Sequence, residues 1–438
     1  MGKLHRASAR SLDRRRCSWR LACSWRLAAW VAALAIAVGA APARAQGVRD
    51  VPDELVVQVR PAARGVAARA LLAQVGAEAL DEIPGRGLFR VRVPQSARNA
   101  VHSALERHPD VVFVERHRLF PPALVPDDPR FDLQWHHEKL GSSRAWDEAL
   151  AVGRIIAILD SGVNPSHPDL APALLPGWDF QDDDADPSDP YGHGTRVAGM
   201  AAAATGNATG VAGMAWGAAI LPVRVADESG WASSWAIVEG LEYAAAQGAT
   251  VANLSFGQLA GSQTVQTAAQ AAVEAGIVVV ASAGNCGCTE SFADTPWLLS
   301  VGATTSSDGL AGFSSRGDFV DLTAPGASVQ TTSPSGGYEN VWGTSFSAPV
   351  VSGLVALLQN ADASLTPAEI EQRLEATAVD LGAAGWDPGF GHGRVDAAAA
   401  LDLGSSSACG LGPGLALLLP GLRALRRRRG LPGRRTGR

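Results

Sequence analysis

Two hydrophobic periods divide the chain. Between residues 52 and 118, DELVVQVR (53–60), LFRVRVP (88–94) and DVVFVER (110–116) set apolar residues at alternate positions, the pattern of half-buried strands. VAARALLAQVGAEAL (66–80) and SARNAVHSALERH (96–108) repeat apolar residues every three or four positions, as helices do. The unit is expected to be β-α-β-β-α-β, of the ferredoxin-like kind, the periods marking three of its four strands. LFPPALVPDDP (119–129) has no period and is rich in proline, so it reads as a linker.

Beyond residue 150 the pattern changes. RIIAILD (154–160), AILPVRV (219–225), TVANLSF (250–256), GIVVVASAG (276–284) and WLLSVGAT (297–304) are short runs, several of them apolar on both faces, as in a parallel sheet covered by helices. SSWAIVEGLEYAAAQG (233–248) and QTVQTAAQAAVEAG (263–276) alternate with them as helices. The prediction is an α/β domain with a doubly wound, mostly parallel sheet, whose functional groups gather at the carboxyl ends of strands. In GTSFSAPVVSG (343–353) the apolar positions that follow Ser345 keep helical spacing. Proline is comfortable only in a helix's first turn, so Pro349 predicts a helix starting close to Ser345. A serine there meets the free N–H groups and positive dipole end that favour an oxyanion. Alone, it reads first as a capping serine in front of a core helix.

Composition then narrows the setting. The 438 residues are 47% hydrophobic and 18% charged, as in an ordinary globular protein. The net charge of −6 conceals an asymmetry: residues 1–45 and the last sixteen are strongly basic, residues 46–123 carry about +2, and 124–403 about −24. So acidic a body excludes nucleic acid as a partner and suits bound cations. LAAWVAALAIAVGAA (27–41), preceded by a basic stretch and followed by Ala43-Arg44-Ala45, predicts a cleaved export signal over 1–45, too short for a span. Within the basic stretch CSWRLA occurs twice in tandem (17–22 and 23–28). Export leaves Cys286, Cys288 and Cys409, too few for a disulfide scaffold.

The candidate chemistry lies at element ends. Asp160 closes an apolar strand before Ser161-Gly162. His193 stands between two glycines ahead of an Ala-rich helix, and Asn285 follows Ala283-Gly284 at the end of another strand. Singly these are a turn aspartate, a helix-start histidine and a turn asparagine. Together, LDSG, GHGT, SAGN and GTSFSAP occur in that order across one α/β domain, and here the chain resembles the subtilisin-like serine peptidases over roughly 124–400.

That resemblance implies a triad. Ser345 would attack the scissile carbonyl, His193 would take and return its proton, and Asp160 would fix the imidazole. Asn285 and the Ser345 N–H would hold the oxyanion. Ser255-Phe256-Gly257 and Ala283-Gly284 would wall the pocket for the residue before the scissile bond. No acid in the sequence has to line that pocket, so broad cleavage after apolar residues is expected. NCGC (285–288) departs from the family pattern, and a disulfide between Cys286 and Cys288 stays open.

The resemblance also implies structural Ca²⁺. Six aspartates lie between Trp178 and Pro190. Asp179, Asp184 and Asp186 match one thermitase-type site, while Asp128, Asp169 and Asn207 in TGNATG match another; alternatively the acidic stretch is a solvated loop. Residues 46–123 would be an inhibitory, folding-assisting prodomain, and 124–403 the peptidase domain. Residues 404–438, with Cys409, an apolar stretch and an Arg cluster, resemble a bacterial sorting tail that contacts the membrane transiently; alternatively they form a basic disordered tail. The expected protein is a secreted or surface-associated monomeric endopeptidase whose partners are peptides, proteins and its own prodomain. The competing class is a non-catalytic surface scaffold on the same fold, and a self-processing enzyme with one dedicated substrate is a third reading.

Overall fold

The computed structural model describes residues 49–83, 85–119, 124–291 and 296–402. The expected export signal and C-terminal tail, with Cys409, lie outside the described residues, as do linker positions 120–123.

The N-terminal unit follows the predicted order: β1 (Arg49–Val59), α1 (Val66–Gln74), β2 (Glu78–Ile83), β3 (Leu88–Arg92), α2 (Arg98–Glu106) and β4 (Val111–Leu119). The four strands form one antiparallel sheet, ordered β2-β3-β1-β4. Alternation sends Leu55, Val57 and Val59 of β1 and Phe89 and Val91 of β3 inward, where they meet Leu72 of α1 and Leu105 of α2. One expectation changes. The helical period of the sequence runs to Leu80, yet α1 stops at Gln74 and β2 opens four residues later. Gly76 adopts φ +78°, a conformation helices do not continue through, and turns the chain into the strand.

The second region is built on a seven-stranded parallel sheet: β5 (Ile155–Asp160), β6 (Trp178–Asp179), β7 (Ala219–Arg224), β8 (Val251–Leu254), β9 (Val278–Ser282), β10 (Leu299–Thr304) and β11 (Leu322–Pro325). Its order is β11-β10-β9-β8-β5-β7-β6. The hairpin β12 (Ala327–Thr332) and β13 (Tyr338–Trp342) stands apart from it. The helices are α3 (Trp135–Leu140), α4 (Ser142–Glu148), α5 (His193–Ala202), α6 (Ser234–Ala246), α7 (Gln263–Glu274), α8 (Thr344–Ala361), α9 (Pro367–Thr377) and α10 (Ala397–Leu401).

Pleating divides the core. Ile156 and Ile158 of β5 face one cluster with Val197 and Met200 of α5 and Val350, Leu354 and Leu358 of α8. Ala157 and Leu159 face the other, with Ile237 and Leu241 of α6 and Val265 and Ala269 of α7. Each fully buried Leu or Ile contributes about 1.5–3 kcal/mol. Because β7 lies on one side of β5 and the following β8 on the other, the winding reverses at β5. The crevice beyond the carboxyl end of that strand is where such sheets place ligands.

Helix α8 departs from expectation in one respect. It begins at Thr344, close to Ser345 as predicted, but Pro349 falls in its second turn. Lacking an N–H, Pro349 cannot bond back to the carbonyl of Ser345. The Ser255 hydroxyl donates to that carbonyl instead, at 2.9 Å.

Candidate active site

Asp160 is the last residue of β5 and is 1% exposed. Its Oδ1 accepts from the Ser161 N–H at 2.8 Å and lies 2.7 Å from His193 Nδ1. His193 is the first residue of α5, and close approach there depends on its neighbour: a Cβ on Gly194 would lie 2.1 Å from the Gly162 carbonyl oxygen and 2.9 Å from Asp160 Cβ. Burial opposes protonation of the imidazole, but the Asp160 carboxylate outweighs it through its charge and hydrogen bond. With Asp189 adding to that effect and Arg196 opposing it, His193 stands above the ordinary histidine range.

Ser345 is the second residue of α8 and 8% exposed. Its Oγ donates to the Ser255 carbonyl at 3.3 Å, and the ring of the adjacent Phe346 lies 5.7 Å from that of His193. A side-chain relay fixes the backbone at Ser345. Ser352 Oγ donates to Asn253 Oδ1 at 2.9 Å, Asn253 Nδ2 donates to Ser255 Oγ at 2.9 Å, and Ser255 Oγ donates to Ser345 O. Asn285 is exposed, with its Oδ1 accepting from the Thr344 N–H (2.9 Å) and Oγ1 (3.0 Å). Those bonds fix the amide at the head of α8, and its nitrogen lies 3.5 Å from where a Gly343 Cβ would stand.

The expected pocket walls face each other: a Cβ on Gly257 would meet Gly284 Cα at 3.4 Å. Phe256 packs against the α6/α7 side of the core, and Ala283 is buried in a small cluster with Ala260, Phe319 and Val320. Ser255 holds the Ser345 carbonyl with its buried hydroxyl. One acid lies beside the expected Ala283-Gly284 wall. Glu290 accepts from Gln258 Nε2 at 2.8 Å through Oε1, while Oε2 stands 3.4 Å from a Cβ position on Gly284. No motif marks it. Cys286 and Cys288 are disulfide-bonded, Cα to Cα 5.1 Å, with Gly287 at φ +62° doubling the chain back between them.

Of the two acidic sets, Asp128, Asp169 and Asn207 come together. Asp128 (4% exposed) accepts from the Gly206 N–H at 2.7 Å, and Asp169 (0%) accepts from the Val211 N–H at 2.8 Å and from Asn207 Nδ2 at 2.9 Å. Burial raises both carboxyl pKa values; backbone hydrogen bonds oppose it, and the mutual charge adds to it for Asp169. The neighbouring Tyr338 hydroxyl is pushed up to about 12 by burial and by Asp169. In the other set, the backbones of Asp179 and Asp184 exchange hydrogen bonds, and Asp184 Oδ1 accepts from the Asp186 N–H. The Asp179 carboxylate is buried against Arg224, at 2.5 Å, which also holds Asp182. That cation already offsets much of its charge.

A carboxylate-oriented histidine at the switch point of a parallel sheet, with the ring of Phe346, the residue after Ser345 at the head of a buried helix, 5.7 Å from the imidazole, is the equipment of an acyl-transferring hydrolase. Residues 152–393 match the subtilase family and residues 37–117 the fervidolysin N-terminal prodomain. The chain belongs to the subtilase family and is a subtilisin-like serine peptidase carrying a prodomain. It is 37% identical over 351 residues to a thermophilic serine proteinase of Bacillus sp. (strain AK1), spanning 79% of this chain and 86% of that one. It is 41% identical over 276 residues to thermitase of Thermoactinomyces vulgaris, covering 62% of this chain and 98% of that protein. Among solved structures, a protease from Pseudoalteromonas arctica PAMC 21717 superposes with a TM-score of 0.57 at 32% identity, over 64% of this chain and 99% of that one.

Proposed function

We propose that the chain is an exported endopeptidase that cleaves protein and peptide substrates with Ser345 as nucleophile, His193 as general base and then general acid, and Asp160 as the carboxylate that orients it. The 2.7 Å contact between His193 Nδ1 and Asp160 Oδ1 carries this reading, because it leaves Nε2 as the nitrogen free to take a proton. Ser345 Oγ turns from the Ser255 carbonyl to the imidazole when substrate arrives; such bonds are commonly loose before the substrate complex forms. Attack on the carbonyl carbon passes the Ser345 proton to Nε2. The resulting oxyanion is held by Asn285 Nδ2 and the Ser345 N–H, the imidazolium is stabilised by buried Asp160, and the proton then goes to the leaving amine. Water repeats the sequence on the acyl-enzyme. The residue before the scissile bond lies between Ser255–Gly257 and Ala283–Gly284, which admit apolar side chains broadly.

Residues 46–123 act as a prodomain removed during maturation, 124–403 as the peptidase, and 404–438 as a sorting tail in brief contact with the membrane. Ca²⁺ belongs with Asp128, Asp169 and Asn207. Two buried carboxylates whose pKa values burial raises, with no basic side chain hydrogen-bonded to either among the described residues, suit a hard cation. When bound, it supplies structural charge compensation. Asp179, Asp184 and Asp186 are the weaker set, since Arg224 already pairs with Asp179. No helix among the described residues is long and apolar enough to cross a membrane, and relatives include an "Extracellular protease" of Xanthomonas campestris pv. campestris; both are compatible with export. A serine-directed covalent inhibitor tests the centre: it should modify Ser345 and abolish peptide cleavage stoichiometrically. Modification elsewhere, or cleavage that survives modification, would refute the assignment.

A further inference from the structure

The loop at 187–192 is stitched to the turn that follows Asp160. The Val163 N–H donates to the Pro187 carbonyl at 2.9 Å, and Gly162, at φ +105°, lies so close that a Cβ there would stand 2.5 Å from the Ser188 carbonyl oxygen. In this loop sits Asp189. Its Oδ1 accepts from Ser161 Oγ (2.8 Å) and the Gly192 N–H (2.6 Å), and its Oδ2 accepts from the Thr195 N–H (2.8 Å) and Thr195 Oγ1 (2.6 Å). Two further bonds extend the net: Ser161 Oγ accepts from the Gly194 N–H at 3.0 Å, and Thr195 Oγ1 accepts from the Asn164 N–H at 3.0 Å.

The placement of these partners matters. Ser161 directly follows Asp160, while Gly192, Gly194 and Thr195 surround His193. One carboxylate therefore grips the chain next to both members of the hydrogen-bonded pair. It also does the work of a missing cap, since Gly192 has no side chain to satisfy the first N–H groups of α5. We propose that Asp189 is a positioning residue of the peptidase, clamping the turn that carries Asp160 to the helix start that carries His193 and adding negative charge beside the imidazole.

The proposal rests on the triad assignment made above and goes beyond it. The imidazolium that forms during attack meets Asp160 from β5, Asp189 from the loop and Arg196 from its own helix, with the Phe346 ring contributed by α8. Arg196 is itself held by Glu339 of β13 at 2.9 Å and by the Gly192 carbonyl at 2.8 Å, which moderates its opposition. A plain helix cap would affect stability alone. A clamp on the pair affects the rate of the chemical step, because displacing a reacting group by about 1 Å costs on the order of 10²-fold.

The test uses the processed enzyme, with competent sites counted by a covalent serine inhibitor and kcat, KM and pH–rate profiles measured on a chromogenic peptide. Asp189→Asn keeps the shape, loses the charge and turns an NH₂ toward one pair of donors. It should lower kcat by about 10²-fold with KM little changed, and the acidic limb of kcat/KM should move to lower pH because a negative charge near His193 is gone. Ser161→Ala breaks the link to Gly194 while leaving the carboxylate in place, so kcat should fall without movement of the acidic limb. An Asp189→Asn enzyme with the parent's kcat and acidic limb, or with a loss confined to KM, would overturn the proposal. If that variant is not recovered folded, Ser161→Ala decides: an unchanged kcat refutes the clamp. Inhibitor labelling of the parent, run alongside, separates failure of the triad assignment from failure of the clamp.

Discussion

Acid should destabilise this peptidase through two histidines remote from the site. His136 and His137 of α3 are buried with ring centroids 4.3 Å apart, and His137 also packs on Trp146 at 5.0 Å. His137 Nε2 meets the Ala212 carbonyl at 3.1 Å and Nδ1 meets Ser142 Oγ at 2.9 Å, so the neutral ring is satisfied on both sides. Burial lowers the His137 pKa to about 4, with the bond to Ala212 opposing; burial and the neighbouring His137 take His136 well below the usual range. The folded pKa values lie below the unfolded value of about 6.5, so the unfolded chain binds protons first. The stability of the neutral pair is complete above pH 6.5 and falls as pH drops toward the folded values. For His137 the window from 6.5 to about 4 is worth about 3 kcal/mol at 1.36 kcal/mol per unit. Asp128 and Asp169 act with the opposite sign, since their raised values favour the folded state on acidification; saturating calcium should suppress that contribution. The assay is the urea midpoint of inhibitor-blocked enzyme in calcium between pH 7.5 and 4.5. His137→Gln, which keeps a donor for Ala212, should be less stable at pH 7.5 but lose stability less steeply, by up to about 1.4 kcal/mol per pH unit. Parallel curves for parent and variant would refute the reasoning.

Chelation of calcium should lower the melting temperature of the processed enzyme, and a hundredfold excess of Ca²⁺ over Kd should restore about 2.7 kcal/mol; identical melting in chelator and in millimolar calcium would remove the metal from Asp128, Asp169 and Asn207. Glu290→Gln should lower kcat/KM after a P1 lysine about tenfold more than after a P1 leucine, as expected when a charge-assisted contact worth ~1.4 kcal/mol is lost; equal losses would make Glu290 only a strap between Gln258 and the pocket wall. Ser345→Ala should accumulate a precursor that still carries residues 46–123 when made without other proteases; mature-sized protein would show that the prodomain is removed in trans. Truncation after Leu403 should leave peptidase activity intact and move cell-associated enzyme to the soluble fraction, and unchanged partitioning would show the tail to be inert.

What the sequence disclosed follows from the architecture. In a parallel sheet buried on both faces, strands are continuous apolar runs, so their carboxyl ends are visible as the first polar residue after each run. Asp160 stands at such an end, and Asn285 lies just beyond another. Helix starts are equally visible where glycine, serine or threonine precedes an apolar period, which exposed His193 and Ser345. The hidden features are those whose meaning depends on a distant partner. The edge strand at Trp178–Asp179 is too short to show a period, and the β12/β13 hairpin is largely polar. Glu290 gained significance only when folding brought it to Gln258 and Gly284, and Asp189 could not be told from five other aspartates until Ser161 and Thr195 closed on it.

Pro349 shows how the two kinds of information combine. Helical preference alone places a proline in the first turn, and the structure places it one turn later, where it removes a backbone bond to the carbonyl of Ser345. In an ordinary helix that carbonyl would be an unsatisfied buried acceptor, at a cost of about 1–3 kcal/mol. Here Ser255 satisfies it, and Ser255 is fixed through Asn253 to Ser352, two turns further along α8. The apparent defect thus becomes a crosslink between the helix that carries Ser345 and the carboxyl end of β8. A break in local preference that has a dedicated partner in the fold marks the place where Ser345, the proposed nucleophile, is held still.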